Sequence, residues 1–286
     1  MREERGQATV EWVGLLLLAM LVLAAVLVTV GWRLVRTDLR DAVLANLICA
    51  VRLTEDCREE PQLRADYGHE VAALLRANAP ALLYEGGMTA MPVDYRRCRM
   101  DQCAAGAGEG KNVFRAERGE RAVAFTHVID CRPGGDAAGA DCSGPRKGRV
   151  YLQYWFYYPG SATGEGSTPL KGAIRKASTA VGKPTWHRDD WESWQVRVEP
   201  DGRRFARASS HHGYGPGWVP SKDRIYVSGG SHAGQAAVRE VARTTKDDRL
   251  VLIPLREIAR TDRTPFAVTP PWRKRVYRDP EYAGTD

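Results

Sequence analysis

The sequence predicts an α+β protein: an N-terminal transmembrane helix and helical stalk, followed by a mainly antiparallel β-sandwich. Three observations carry that expectation. An uncharged apolar run fills Trp12–Trp32, helical spacing of apolar residues follows it, and beyond Arg121 the texture changes to short segments rich in aromatic and β-branched residues. At 286 residues and 43% apolar content, the chain has material for one large domain or two small ones and is too apolar for wholesale disorder.

The run WVGLLLLAMLVLAAVLVTVGW is long enough, as a helix, to cover the roughly 30 Å of a bilayer core. Tryptophans at both ends suit the two interfaces, and Arg33 and Arg36 can reach headgroups. A cleaved signal peptide is the alternative, but its apolar region is only about 7 to 15 residues. Orientation is not decided by positive charge, because Arg2 and Arg5 before the span face Arg33, Arg36 and Arg40 after it.

Leu34, Val35, Leu39, Val43, Leu44, Leu47, Ile48 and Val51 continue at three- and four-residue intervals, which reads as a stalk or a helix packed on the domain. A second helical pattern covers Leu63 to Leu83 and stops before the glycine pair at 86–87. The expected division is therefore a leader and membrane helix at 1–36, a helical stalk or packing helices at 37–85, and a β domain at 86–286. Strands are expected at 122–130, 149–158, 190–198, 203–210, 223–229 and 249–255, with a hairpin turn at EPDG, 199–202. AAGAGEG at 104–110 and GGDAAGAD at 134–141 are loop compositions; 171–182 reads as a short helix, and TPPWRKR at 269–275 as a peripheral strap.

The six cysteines fall into three close pairs, Cys49 with Cys57, Cys98 with Cys103, and Cys131 with Cys142. With no C-x-x-C and no histidines at finger spacing, three short disulfide loops fit better than zinc. Disulfides imply an oxidising compartment, which places residues 33–286 outside the cytoplasmic membrane and the N-terminus inside. The formal charge of +7 and pI near 9.2 are diluted by 35 scattered acids. The only compact basic cluster is Arg273-Lys274-Arg275, read as a solvated or lipid-facing surface. No nucleic-acid-binding motif accompanies it, so nucleic acid is not an expected partner.

HRDDWESWQV, 187–196, poses the functional question. On a strand, Asp190, Glu192, Trp194, Val196 and Val198 share one face, and Trp191, Ser193, Gln195 and Arg197 the other. The first face is apolar at its far end, which draws two carboxylates toward the rim of the core, where an unpaired charge costs several kcal/mol. His187, and additionally His211, His212 and His232 at the ends of other strands, can join Asp190 and Glu192 as ligands of a divalent metal ion. The alternative is that the acids pair with Arg188 or Arg197 while the histidines cap loops. Ser231 beside His232 invites a nucleophile reading, but Ala233 occupies the second glycine position of a G-x-S-x-G elbow, and a turn with a hydrogen-bonding serine is the simpler account.

Two resemblances add to these readings. GQATVEWVGLLLL resembles the N-terminus of Tad-type pilins and pilin-like proteins. The resemblance implies cleavage by a prepilin peptidase after Gly6, entry into a pilus assembly machinery, and a role for Glu11 in neutralising the α-amino group of a neighbouring subunit. YLQYWFYYP, HRDDWESWQVRV, ASSHHGY and IYVSGGSHAG, in that order, resemble the vacuolar protein sorting 62 family and are similar to necrosis- and ethylene-inducing-like proteins, which are secreted cytolysins on a β-sandwich. The resemblance covers about residues 122–235. It implies that His187, Asp190 and Glu192 match cation-ligand positions used in recognising a membrane headgroup, while Asp189 replaces a histidine of that block, and Gly160 stands where one acidic ligand is expected. Together these imply a single-pass protein of the cytoplasmic membrane displaying a disulfide-bonded β-sandwich that binds a lipid or glycan headgroup, or a surface partner, through magnesium or calcium. A minor pilin with a purely structural head and a metal-dependent hydrolase are the alternatives.

Overall fold

A computed structural model describes residues 56–85, 91–96, 121–162, 186–210, 213–214, 217–228, 231–235, 241–244, 250–255 and 268–284, with Met20 and Ala177 as isolated positions. The chain divides into two compact units, Met1–Pro61 and Gln62–Asp286. Among the described residues no helix is long and apolar enough to cross a membrane; the run 12–32 lies outside them apart from Met20. Gly6, Glu11, Cys49, Cys98, Cys103, His211 and His212 also lie outside, as do the stalk pattern at 34–51 and, apart from the helical Ala177, the helix expected at 171–182.

The unit from Gln62 onward is dominated by strands. In chain order they are β1 (Ala81–Glu85), β2 (Val123–Asp130), β3 (Val150–Ala162), β4 (Trp186–Val198), β5 (Arg204–Ser210), β6 (Gly213–Tyr214), β7 (Val219–Pro220), β8 (Arg224–Val227), β9 (Gly234–Gln235), β10 (Val241–Thr244) and β11 (Val251–Pro254). The larger sheet runs β11-β2-β3-β4-β5-β6, with β7 also pairing β5; the smaller runs β10-β1-β8-β9. Both sheets are mixed, because β11 lies parallel to β2 and β1 parallel to β8 while the other pairs are antiparallel. All six segments read as strands from their composition are strands. The EPDG turn closes β4 onto β5 through hydrogen bonds from Glu199 N to Arg203 O and from Gly202 N to Glu199 O, each 2.9 Å.

The second helical pattern ends earlier than its apolar spacing suggests. Helix α1 spans Asp56–Ala77, and Ala81–Glu85 is a strand, not the last turn of that helix. Pro80 supplies the reason: it has no N–H to donate and disfavours helical backbone at the preceding residue. Asn78 closes the helix, its side-chain amide donating to Leu74 O at 2.8 Å. Leu82 and Tyr84 then point into the core in strand alternation. Within α1, Gly68 adopts φ 76°, a conformation that interrupts the helix and that glycine tolerates.

The core joins both sheets in one hydrophobic cluster, with Leu82, Tyr84, Ile225 and Val227 from the smaller sheet and Leu152, Tyr154, Phe156 and Trp194 from the larger. Contact is close where β9 seats between them. A Cβ on Gly234 would lie 2.5 Å from Ile225 Cδ1 and 2.7 Å from Ala208 Cβ, so a larger residue there would force the sheets apart. The same face of the larger sheet carries α1, tied down by Tyr154 Oη donating to Leu75 O at 2.7 Å and Tyr67 Oη donating to Thr126 O at 2.6 Å.

The opposite face is covered by the segment 268–284, which includes a 3-10 turn at Pro271–Arg273 and the short helix α2 (Arg275–Arg278). This segment is more than a peripheral strap. Val276 is fully buried, Tyr277 stacks on His127 with ring centroids 3.6 Å apart, and Gln153 Nε2 donates to Val276 O at 2.9 Å. Arg207, buried, donates to Gln195 Oε1, Tyr282 O and Pro280 O at 2.9, 2.9 and 2.6 Å. Glu281 accepts from Tyr151 Oη and Trp218 Nε1, each at 2.8 Å, and pairs with Arg149 and Arg197. Burial alone would raise the Glu281 carboxyl, but Tyr151, Arg197 and Trp218 together hold it below its ordinary value. The basic cluster is therefore not a wholly solvated surface. Arg273 and Arg275 are exposed, but Lys274 is buried, with its ammonium 6.0 Å from the Trp155 ring centroid.

Of the expected disulfides, Cys131–Cys142 is present and staples the loop between β2 and β3; Cys57 lies in α1 with its side chain outside the described set. Its 11-residue separation predicts that the Cys131→Ala/Cys142→Ala variant loses about 2–3 kcal/mol through the freer unfolded chain. A denaturant midpoint shifted down with little change in slope is the expected reading, and an unchanged midpoint counts against it.

Candidate functional site

Asp190 and Glu192 of the HRDDWESWQV block are fully enclosed instead of lying at the rim. β4 pairs with β3 over nearly its whole length, setting Asp190 across from Tyr158, Glu192 across from Phe156 and Trp194 across from Tyr154. Asp190 and Glu192 are 0% and 1% exposed, and on the other face Trp191, Ser193 and Gln195 are equally buried. Both faces of β4 are interior because α1 and the smaller sheet cover one and residues 268–284 the other.

His232 supplies the partner. Its Nδ1 lies 2.9 Å from Asp190 Oδ2, with both residues buried, and its ring stacks on Tyr158 with centroids 3.9 Å apart and planes 5° from parallel. Tyr158 follows from register, since it stands directly across from Asp190. The sequence marks His232 only as an additional candidate, because its distance along the chain from β4 conceals the pairing. With Nδ1 turned to the carboxylate, His232 Nε2 is left buried with no hydrogen-bond partner among the described residues.

His232 is held by a short turn between β8 and β9. Its N–H donates to Ser228 O at 3.1 Å, and it has φ 54°, a left-handed conformation uncommon for a residue with a Cβ. Ser231 is bonded to Ser228, Oγ to Oγ at 2.8 Å, within the same turn. The turn account of Ser231 therefore matches its geometry, and the imidazole faces Asp190 instead of the serine.

Asp189, adjacent to Asp190, serves the other side of the sheet. It is buried at φ 57° and accepts a 2.7 Å hydrogen bond from Tyr157 Oη. A left-handed residue is compatible with Asp, whose short polar side chain tolerates it. The departure noted at this position is thus a structural hydrogen bond, and nothing in the local spacing signals it. Gly160 pairs with Arg188 in the β3–β4 ladder, and the β3 residues directly across from Asp190 and Glu192, Tyr158 and Phe156, are aromatic.

Burial pushes the Glu192 carboxyl well above its ordinary range; the neighbouring Asp190 adds to the rise, and Lys274 offsets part of it. The Tyr158 hydroxyl is raised in the same way, first by burial and then by Tyr84, Glu192 and Asp190. The site therefore disfavours negative charge by itself and favours any added positive charge.

His187 occupies β4 across from Ser161, with its side chain outside the described set. Asp190 and His232 are brought together, with Glu192 two residues along on the same face; His211 and His212 are outside the described residues. Among the described residues no group of three or more His, Cys, Asp or Glu side chains is arranged to hold a metal ion. The fit of a cation rests on the donor chemistry. An imidazole whose Nδ1 is held by a carboxylate and whose Nε2 is buried without a partner among the described residues has the orientation of a ligating histidine.

Comparison with known proteins adds no relative: no protein family, no characterised protein and no solved structure matches the chain.

Proposed function

We propose that the chain is a membrane-anchored, pilin-like surface protein whose extracytoplasmic β-sandwich binds a lipid or glycan headgroup, or a surface partner, through a divalent cation. The observation that carries the reading is the buried Asp190–His232 pair beside Glu192, with His232 Nε2 unpartnered among the described residues. Asp190 orients the imidazole, Tyr158 fixes its plane, and Glu192 adds a second carboxylate whose ionisation burial opposes. His187, His211 and His212 are the candidates to complete the set. When bound, a divalent ion would supply positive charge to the carboxylates and coordination positions for ligand oxygens; the carboxylates favour a hard ion such as magnesium or calcium, and the imidazole admits a transition metal.

The membrane placement rests on the uncharged span 12–32 and on cysteine pairing; the Cys131–Cys142 bridge supports an oxidising compartment for the domain. Processing after Gly6 and a pairing role for Glu11 belong to the same proposal. The test is metal content and thermal stability of the full chain in detergent, with and without EDTA, beside Asp190→Asn/Glu192→Gln. At ion concentrations about a hundredfold above Kd, chelation is expected to lower the wild-type Tm by about 5–10 °C and leave the variant unmoved. A wild type that carries no ion and ignores EDTA overturns the cation reading and favours a minor pilin with a structural head.

A further inference from the structure

The basic cluster that the proposed function leaves unused lines a cleft of about 500 Å³ between two elements. One wall is the stapled β2–β3 loop, through Gly139, Ala140, Asp141 and Arg146; the other is the segment 272–279. Five basic residues, Arg146, Arg273, Lys274, Arg275 and Arg278, and two acidic ones, Asp141 and Asp279, are among its lining. Arg146 is paired with Asp279 at 2.5 Å, Arg275 lies 4.6 Å over the Tyr282 ring, and Lys274 lies by Trp155. Arg273 and Arg278 are exposed, and their side chains make no ion pair or hydrogen bond among the described residues.

Such an arrangement has a cost that a ligand would remove. Like charges gathered in a partly enclosed cleft repel one another, and neither Arg273 nor Arg278 is in an ion pair among the described residues. Both walls are fixed in advance, one by the Cys131–Cys142 bridge and the other by the buried Lys274 and Val276, so little ordering accompanies binding. The volume lies in the range of small-ligand sites. Guanidinium forks match phosphate oxygens in geometry as well as charge.

We propose that this cleft is an anion site for a small ligand carrying one or more phosphate groups, with Arg273 and Arg278 as its principal contacts. It is distinct from the cation site: its principal contacts lie on residues 268–284, which pack on the sheet face of His127 and Gln153, opposite Asp190 and Glu192, and Lys274, the lining residue that acts on Glu192, is not one of those contacts. Two sources share the chemistry, a soluble phosphorylated compound and the headgroup of an anionic phospholipid.

The test is calorimetric titration of the detergent-solubilised full chain with inorganic pyrophosphate and, separately, with monomeric dihexanoyl phosphatidylglycerol, with dihexanoyl phosphatidylcholine as the neutral-headgroup control. The variant is Arg273→Ala/Arg278→Ala, whose two exposed side chains leave the fold intact. Arg203→Ala, an exposed arginine paired with Asp201 in the β4–β5 turn, is the charge control. The expected result is at least tenfold weaker binding in the double variant and unchanged binding in the control; the preferred ligand identifies the source. Equal binding by wild type and double variant, equal loss in the control, or no binding of either anion by the wild type overturns the proposal.

Discussion

Trp191→Ala is expected to cost about 3–5 kcal/mol, the range for removing a large aromatic side chain from a packed core. Trp191 is fully buried, and its ring contacts Tyr157, Tyr95, Phe125 and Trp272 at centroid distances of 5.1, 5.5, 5.7 and 6.3 Å. Those rings come from separate parts of the chain, so the indole ties β2, β3 and residues 91–96 to the segment 268–284. Both stability and protease sensitivity check the prediction. The denaturant midpoint should fall, and trypsin should cut faster after Arg273, because Trp272 loses a ring that holds it down. A stability loss under about 1 kcal/mol would mean that the surrounding aromatics collapse to fill the space.

Glu192→Gln is expected to change the pH dependence of stability, with an effect of several kcal/mol at its largest, the scale of burying an ionised carboxylate. The native carboxyl is pushed well above the 4.5 of an ordinary glutamate, so the native state holds its proton more tightly than the unfolded chain does. Below about pH 4.5 both states are protonated and the side chain adds no slope. As pH rises past that value the unfolded chain ionises first, and wild-type stability in EDTA falls until the native pKa is passed. The amide of the variant cannot ionise, so its profile should be flatter and its stability in EDTA at neutral pH higher than that of the wild type. Adding magnesium or calcium should reverse the order, because an ion at the site favours the charged carboxylate. Parallel profiles for the two proteins would show that Glu192 does not titrate with folding.

Much of the fold was legible because burial leaves a pattern. The aromatic and β-branched runs marked all six expected strands, and EPDG marked the turn between β4 and β5. The helix-to-strand change after Ala77 is hidden because ALLYE satisfies either period over so short a stretch; Pro80 is the informative residue. β6, β7 and β9 are two residues long, too short for periodicity to register. At the site, period-2 alternation correctly put Asp190 and Glu192 on the face of Trp194. It could not say that both faces were covered, since residues 268–284 lie far along the chain and carry their own charge. The Asp190–His232 pair depends on a contact between the larger sheet and the turn that joins two strands of the smaller one, which no local spacing encodes.

The position of residues 268–284 in the chain also bears on the order in which the molecule can be completed. Every strand they cover precedes them, so a chain emerging N-terminus first presents His127, Gln153, Trp155 and Trp191 to its surroundings until Lys274, Val276 and Tyr282 have followed. Until that segment is in place, a face that the finished domain buries lacks its cover, so the closing of the domain waits on residues remote in sequence from the strands that they cover.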